Sequence, residues 1–60
     1  PVITEENKRN SDVEYQKALK SYLEGDNEKA MNSVTLALQL DSGNLDAASL
    51  KVRSEQRRNQ

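Results

Sequence analysis

GDNEKA, residues 25–30, is the stretch that decides the fold predicted for this chain. Glycine tolerates the left-handed backbone conformation that ends a helix, and an aspartate or asparagine directly after it can cap the next helix. Further on, ALQLD at residues 37–41 completes an amphipathic pattern of about four helical turns, and Asn44 stands where it can cap another helix. The pattern predicts an all-α fold, with an antiparallel helix-turn-helix hairpin plus a third packing helix.

The first helix is predicted from the apolar residues before Gly25. They recur at spacings of three and four, which gathers them on one helical face: Tyr15, Ala18, Leu19, Tyr22 and Leu23. Ser11, with Glu14 three positions later, fits a capping box, in which two side chains satisfy backbone N–H groups at the start of a helix. We therefore predict the first helix over residues 12–24.

Residues 1–10 are polar apart from one short apolar pair. Thr4 can cap a helix here, and the two acidic residues after it suit the positive end of a helix dipole. No helical apolar period supports the segment, so two alternatives stay open: a helical extension or a frayed N-terminal arm. Residues 11–60 are predicted to form the folded unit.

The second helix is predicted to start at a cap provided by Asp26 or Asn27. Its main apolar stripe consists of Ala30, Met31, Val34, Ala37 and Leu38. Leu36 and Leu40, four positions apart, form a second stripe on its flank. A helix with two apolar flanks contacts two neighbours, so we expect it to lie between the first helix and the third.

The third helix is predicted over residues 45–57, after a polar turn. Its first apolar line, expected to lie against Leu36 and Leu40, consists of Leu45, Ala48 and Val52. Its second line, Ala47 and Leu50, has no predicted partner. Three short helices without a disulfide or a metal need further support. We therefore expect this open edge, together with the exposed flanks of Leu36 and Leu40, to dock the next repeat, a partner helix or a second copy.

Composition excludes several classes of function. The chain contains no cysteine and no histidine, which removes disulfides and the usual zinc and general-base chemistry. Nine basic and ten acidic residues give a net charge of −1, which provides no general attraction to nucleic acid or anionic lipid. No apolar run reaches the roughly 20 residues of a membrane span. We therefore predict no catalytic residue, no cofactor and no metal site, and the sequence does not indicate a compartment.

Residues 15–44 resemble a tetratricopeptide repeat (TPR), a helix-turn-helix unit of about 34 residues that occurs in stacked arrays. The residues that fall at the family's motif positions are Tyr15, Ala18, Leu19, Tyr22, Gly25, Asp26, Ala30, Ala37, Leu38, Gln39, Leu40, Asp41 and Asn44. The segment between Tyr22 and Gly25 is one residue shorter than is usual in the family. Four other residues depart from the family's pattern. Leu19 stands where the family prefers a small residue and Asn27 where it has a tyrosine. Val34 replaces an aromatic residue, and Ser42 replaces a proline.

The resemblance implies that Gly25, Ala30 and Ala37 define the fold, because the family needs a tight turn and small residues where its helices cross. It also implies a concave groove that holds extended peptides and is lined by the first helices of successive repeats. Tyr22 is then a candidate ligand contact. Tyr15 and Tyr22 are also the two side chains with the largest apolar surface available to a small core. A role in packing therefore stays open beside the role in binding.

The function expected from these patterns is a non-enzymatic protein–protein interaction or scaffold module, a segment of a larger repeat protein. Its candidate partner-binding residues are Tyr15, Tyr22, Leu36, Leu40, Ala47 and Leu50. An alternative is homo-oligomerisation through the open apolar edge of the second and third helices. A weaker alternative is contact of a basic tail with RNA or an acidic surface, although these cations also complement a helix dipole. The tail contains Lys51, Arg53, Arg57 and Arg58.

Overall fold

A computed structural model describes residues 3–58, and over that range the chain is helical and contains no strand. Three helices follow one another in the order α1 (Glu5–Leu23), α2 (Asn27–Leu40) and α3 (Leu45–Arg58). The middle helix, α2, packs against both others, whereas α1 and α3 make fewer contacts with each other. The predicted all-α architecture of a hairpin plus a third packing helix is confirmed.

The helix α1 begins earlier than predicted. Thr4 caps it, and the hydroxyl oxygen of Thr4 accepts a hydrogen bond of 3.0 Å from the backbone N–H of Asn7. The helix then continues through Ser11, which is fully buried in its middle. The predicted capping box of Ser11 and Glu14 is therefore wrong. The chain is already helical there, because Thr4 supplies the cap and the acidic first turn favours the helix dipole.

The described part of the predicted arm, residues 1–10, is helical from Glu5 onward. The helix crosses the predicted boundary at residue 10 without interruption. Residues 1–2 of that arm lie outside the described residues, as do residues 59–60 of the predicted unit 11–60. The division of the chain into an arm and a unit stays a prediction.

The two turns follow the predicted chemistry. Gly25 has a backbone φ of 86°, the left-handed conformation that glycine adopts without strain. Asp26, the first of the two predicted candidates, caps α2 through a carboxylate that accepts from the backbone N–H of Lys29 at 3.1 Å. Asn44 caps α3 in the same way, because its side-chain oxygen accepts from the N–H of Ala47 at 3.1 Å.

The core between the helices is built largely from small side chains. Its buried hydrophobic residues are Ala18, Ala30, Val34, Ala37, Ala47 and Leu50. Most of them are alanines, which lets the helix axes approach closely. Larger, half-buried side chains surround this core: Tyr15, Leu19, Tyr22 and Leu38. Val34 is the largest side chain that is fully buried in the described residues, so the core is lean.

The helix α3 turns a different face to the core than predicted. Ala47 is fully buried and Leu50 is 3% exposed, so the predicted open edge at these two residues is wrong. Leu45 and Val52, predicted to pack on α2, are 79% and 52% exposed. Positions two apart in a helix point about 200° away from each other. Burial of Ala47 and Leu50 therefore turns Leu45 and Val52 toward solvent.

The flank of α2 that carries Leu36 also points away from α3. Leu36 follows the buried Val34 by two positions, lies about 200° around the helix from it and is 48% exposed. Leu40, four positions on, is half-buried on the same flank. The side of α2 that meets α3 carries Asn27, whose Nδ2 donates to the backbone carbonyl of Ser54 at 3.1 Å. The predicted packing of the Leu36 flank against α3 is therefore wrong.

We expect Ala30→Leu to lower the free energy of unfolding by about 1–3 kcal/mol, because a larger side chain at this fully buried position forces the helices apart. Asn32→Leu, on the exposed side of the same helix, is the control and should change stability by no more than about 0.5 kcal/mol. Urea unfolding followed by circular dichroism measures both variants. An Ala30→Leu variant as stable as the wild type would contradict close packing at this position.

Candidate interaction surface

Polar contacts at one end of α3 join it to both helices of the hairpin. Ser11 of α1 donates a hydrogen bond of 2.7 Å to the backbone carbonyl of Ala37 in the last turn of α2. The side-chain amide of Asn44 donates to the hydroxyl oxygen of Ser11 at 2.9 Å, while its oxygen caps α3. Ser11 is fully buried and Asn44 is 8% exposed, so water competes little for these bonds. A single asparagine thus fixes where α3 begins.

Contacts at the other end of α3 hold it against α1. The guanidinium carbon of Arg57 lies 3.5 Å from the centroid of the Tyr22 ring. The same guanidinium donates a hydrogen bond of 2.8 Å to the backbone carbonyl of Tyr22, near the C-terminus of α1. A cation over an aromatic face and a bond to a helix-end carbonyl are both attractive. Arg57, one residue of the predicted basic tail, therefore has a role in the fold, and contact of that tail with RNA or an acidic surface stays a prediction.

The residues predicted to bind a partner do not form one surface. Tyr15 and Tyr22 are half-buried and pack against the core, on the side of α1 that meets α3. Leu36 is exposed and Leu40 is half-buried, and both lie on the flank of α2 that points away from α3. The remaining two, Ala47 and Leu50 on α3, are buried in the core. The structure therefore distributes the predicted set over two sides of the molecule and its core.

One side of α3 presents exposed residues at helical spacing. We call it the outer face of α3 and define it by Leu45, Asp46, Ser49, Val52 and Arg53, all of which are exposed. Spacings of three, four and seven residues place them on one side of the helix, with Ser49 at the centre. Apolar side chains follow one edge of this face and charged side chains follow the other.

The two charges of the outer face form no ion pair with another residue of the described part of the chain. Ion pairs there join residues three positions apart: Lys8 with Glu5, Lys17 with Glu14, and Lys29 with Asp26. Asp46 and Arg53 belong to none of them. These two residues are seven positions apart, which is about 10.5 Å along the helix at nearly the same angle. The outer face therefore has a negative end and a positive end.

Two open depressions lie next to α3. A hollow of about 190 Å³ between α1 and α3 is lined by Tyr15, Leu19, Asp46, Ser49, Leu50 and Arg53. A groove of about 610 Å³ between the start of α2 and the end of α3 is lined by Asn27, Glu28, Met31, Asn32, Arg57 and Arg58. Both are open to solvent, and an open surface suits contact with another chain better than enclosure of a small substrate.

The sequence prediction places Leu45 and Val52 in the core and so misses the outer face of α3. A signal for this face is present in the sequence. Asp46 and Arg53 repeat the seven-residue spacing of Leu45 and Val52 one position later. Two pairs with the same helical spacing mark a side that is apolar along one edge and charged along the other.

Residues 3–58 contain no cluster of three or more side chains able to hold a metal ion. Within the same residues, no helix combines the length and the hydropathy that crossing a membrane requires. Comparison of the chain with protein-family models, with curated proteins and with solved structures finds no match. The resemblance to TPRs therefore stays a prediction.

Proposed function

We propose that this chain is a helical protein–protein interaction module without catalytic function, and that it contacts protein through the outer face of α3. The proposal depends on one observation: Leu45 and Val52 are 79% and 52% exposed on a helix whose opposite side is buried in the core. A helix with apolar residues on both sides can pack against a further layer of structure as well as against its own core. In a repeat protein that layer is the next helical unit, and otherwise it belongs to another chain.

The contacts at both ends of α3 support this proposal. The bond from Asn44 to Ser11 fixes the start of the helix, and the bond from Arg57 to Tyr22 fixes its end. These two contacts set the rotation of α3, so the outer face is presented in one orientation. A surface that is already ordered loses less conformational entropy when it binds, which favours association.

Homo-oligomerisation is a second candidate, favoured by the lean core. Within residues 3–58, the large hydrophobic side chains that remain exposed are Ile3, Val13, Leu23, Leu36, Leu45 and Val52. A small chain of this kind gains stability when a second copy covers part of its apolar surface. Light scattering over a hundredfold dilution, with helix content followed on the same samples, separates the candidates. Loss of mass on dilution supports homo-oligomerisation, and a helical monomer at every concentration up to the millimolar range supports contact with a different protein.

A photoreactive cross-linker tests the proposed function. We expect a cross-linker at Gln56, one helical turn beyond Val52, to join the chain to a protein in a lysate of the cells that make it. The same group at Gln16, exposed on α1, should give no competable adduct. Unlabelled wild-type chain should compete for the adduct at Gln56. The double variant Leu45→Ser/Val52→Ser should compete at least about tenfold less well, because it removes the apolar side chains of the face.

Leu23→Ser is the matched control for this experiment, because Leu23 is 74% exposed at the end of α1 and is not one of the residues that form the outer face of α3. This variant should compete as well as the wild type. Equal competition by Leu23→Ser and by the double variant would contradict the proposed function, as would adducts of equal yield at Gln56 and Gln16. The mass of the adduct then distinguishes a second copy from a different protein.

A further inference from the structure

We propose that the partner of the outer face of α3 is a second copy of the same chain, with the two α3 helices antiparallel across a two-fold axis beside Ser49. This inference rests on the proposed function, since it names the partner of the surface described there. Three features of α3 support it: the positions of the two charges on its outer face, the positions of the two exposed apolar side chains there, and the small residues between them.

The charges of the outer face are self-complementary under a two-fold rotation. Asp46 lies in the first turn of α3, and Arg53 lies seven residues later at nearly the same angle. When two such helices lie antiparallel, Asp46 of one copy faces Arg53 of the other, and the symmetry repeats this pair at the far end. In a parallel pair related by a two-fold axis, the charged edge of one copy would face the apolar edge of the other, and Asp46 would not meet Arg53. The charges therefore favour the antiparallel arrangement.

The exposed apolar side chains obey the same symmetry. Leu45 and Val52 are also seven residues apart, so the rotation that brings Asp46 to Arg53 also brings Leu45 of one copy to Val52 of the other. Both side chains are more than half exposed in the single chain, at 79% and 52%. Their burial supplies the main driving force for association. The midpoints of the charged and the apolar pairs both fall beside Ser49, so one axis serves both.

Small residues lie where the two helices would cross. Ser49 is at the centre of the outer face, and Ala48 beside it is half-buried. Packed helix axes are about 8–10 Å apart, and small side chains at the crossing allow the closer distances. The hollow of about 190 Å³ next to Asp46, Ser49 and Arg53 leaves room for opposing side chains at the edge of the contact.

The expected dimer is weak. The helix α3 has 14 residues, and one such helix pair buries less surface than a stable protein–protein interface requires. We therefore expect a monomer at low micromolar concentration and a dimer as the concentration approaches the millimolar range. Sedimentation equilibrium covers this range and gives the dissociation constant.

Charge reversal tests the antiparallel geometry. Asp46→Arg makes both ends of the face positive, and Arg53→Asp makes both ends negative, so each homodimer then places like charges together. We expect each single variant to raise the dissociation constant at least about tenfold, since two attractive pairs become repulsive. The double variant Asp46→Arg/Arg53→Asp exchanges the charges and should dimerise within about threefold of the wild type. An equimolar mixture of the two single variants should form a heterodimer.

Arg9→Asp makes the same change of charge as Arg53→Asp, but on the exposed side of α1. It should leave the dissociation constant unchanged. Circular dichroism at low concentration checks that each variant is folded, and recovery of the dimer in the double variant shows that both substitutions are compatible with the fold. The antiparallel arrangement would be overturned if the single charge reversals left the dissociation constant unchanged. It would also be overturned if the double variant dimerised as weakly as the single variants.

A wild-type chain that stays monomeric up to millimolar concentration would overturn the second copy as the partner. This failure is distinct from failure of the proposed function, because the cross-linker at Gln56 detects any protein that contacts the outer face of α3. An adduct of twice the mass of the chain supports the present inference. A competable adduct of another mass supports the proposed function and overturns the second copy as the partner.

Discussion

Leu50→Ala is expected to lower the free energy of unfolding by about 2–5 kcal/mol, the largest effect of any substitution considered for this chain. Leu50 is 3% exposed and is packed among alanines and Val34. Surrounding side chains relax only partly into the space that the lost side chain leaves. A domain of this size rarely has more than about 3–5 kcal/mol of stability, so the variant should be partly unfolded in the absence of denaturant.

Leu45→Ala is the matched control, because it makes the same chemical change five positions earlier on α3. Leu45 is 79% exposed, and its truncation should change stability by no more than about 0.5 kcal/mol. Urea unfolding followed by circular dichroism, at a concentration low enough to keep the chain monomeric, compares the two variants. A larger loss for Leu45→Ala than for Leu50→Ala would mean that α3 packs through the face predicted from the sequence and that the outer face lies elsewhere.

Hydropathy explains why the sequence does not predict the rotation of α3. The line Leu45, Ala48 and Val52 is more apolar than the side that the structure buries, which consists of Ala47, Leu50 and Ser54. The buried side is selected by contacts at the ends of the helix. Asn44 bonds Ser11 and Arg57 bonds Tyr22, over separations of 33 and 35 residues. A pattern of residues within one helix does not indicate contacts between residues so far apart in the sequence.

The features that the sequence predicts correctly are those with local causes. A cap bonds a backbone N–H three residues away, so Asp26 and Asn44 are recognisable from their immediate neighbours. Gly25 is recognisable because few other residues adopt its backbone conformation. Ser11 shows the limit of this reasoning, because its spacing to Glu14 matches a capping box while its hydroxyl bonds Ala37, 26 residues away.

The candidate site follows from the same long-range contacts. Once α3 is rotated so that Ala47 and Leu50 are buried, its opposite side is exposed, and the outer face is a consequence of that rotation. The sequence predicts that α3 carries an unpartnered apolar surface but assigns it to the wrong side of the helix. A prediction of the surface therefore depends on the position of Asn44 relative to α1, which only the folded structure provides.

Asn44→Ala should lower the free energy of unfolding by about 2–3 kcal/mol, because one side chain supplies two separate contributions. Its oxygen caps α3 through the N–H of Ala47 at 3.1 Å, and its amide donates to the buried hydroxyl of Ser11 at 2.9 Å. A lost cap and a lost buried hydrogen bond each contribute about 1 kcal/mol or more. Thermal and urea unfolding of the variant measure the sum.

Asn44→Ser separates the two contributions, because serine is a good cap but cannot reach Ser11 with an amide N–H. We expect Asn44→Ser to lose about half as much stability as Asn44→Ala, in keeping with retention of the cap alone. A double-mutant cycle of Asn44→Ser with Ser11→Ala should give a coupling energy of at least about 0.5 kcal/mol, as expected for residues in direct contact. Additive effects of the two substitutions would contradict the role of this bond in fixing α3. In that case the contact of Arg57 with Tyr22 alone would have to set the rotation of the helix, and Arg57→Met, rather than Asn44→Ser, would be the substitution that redirects the outer face.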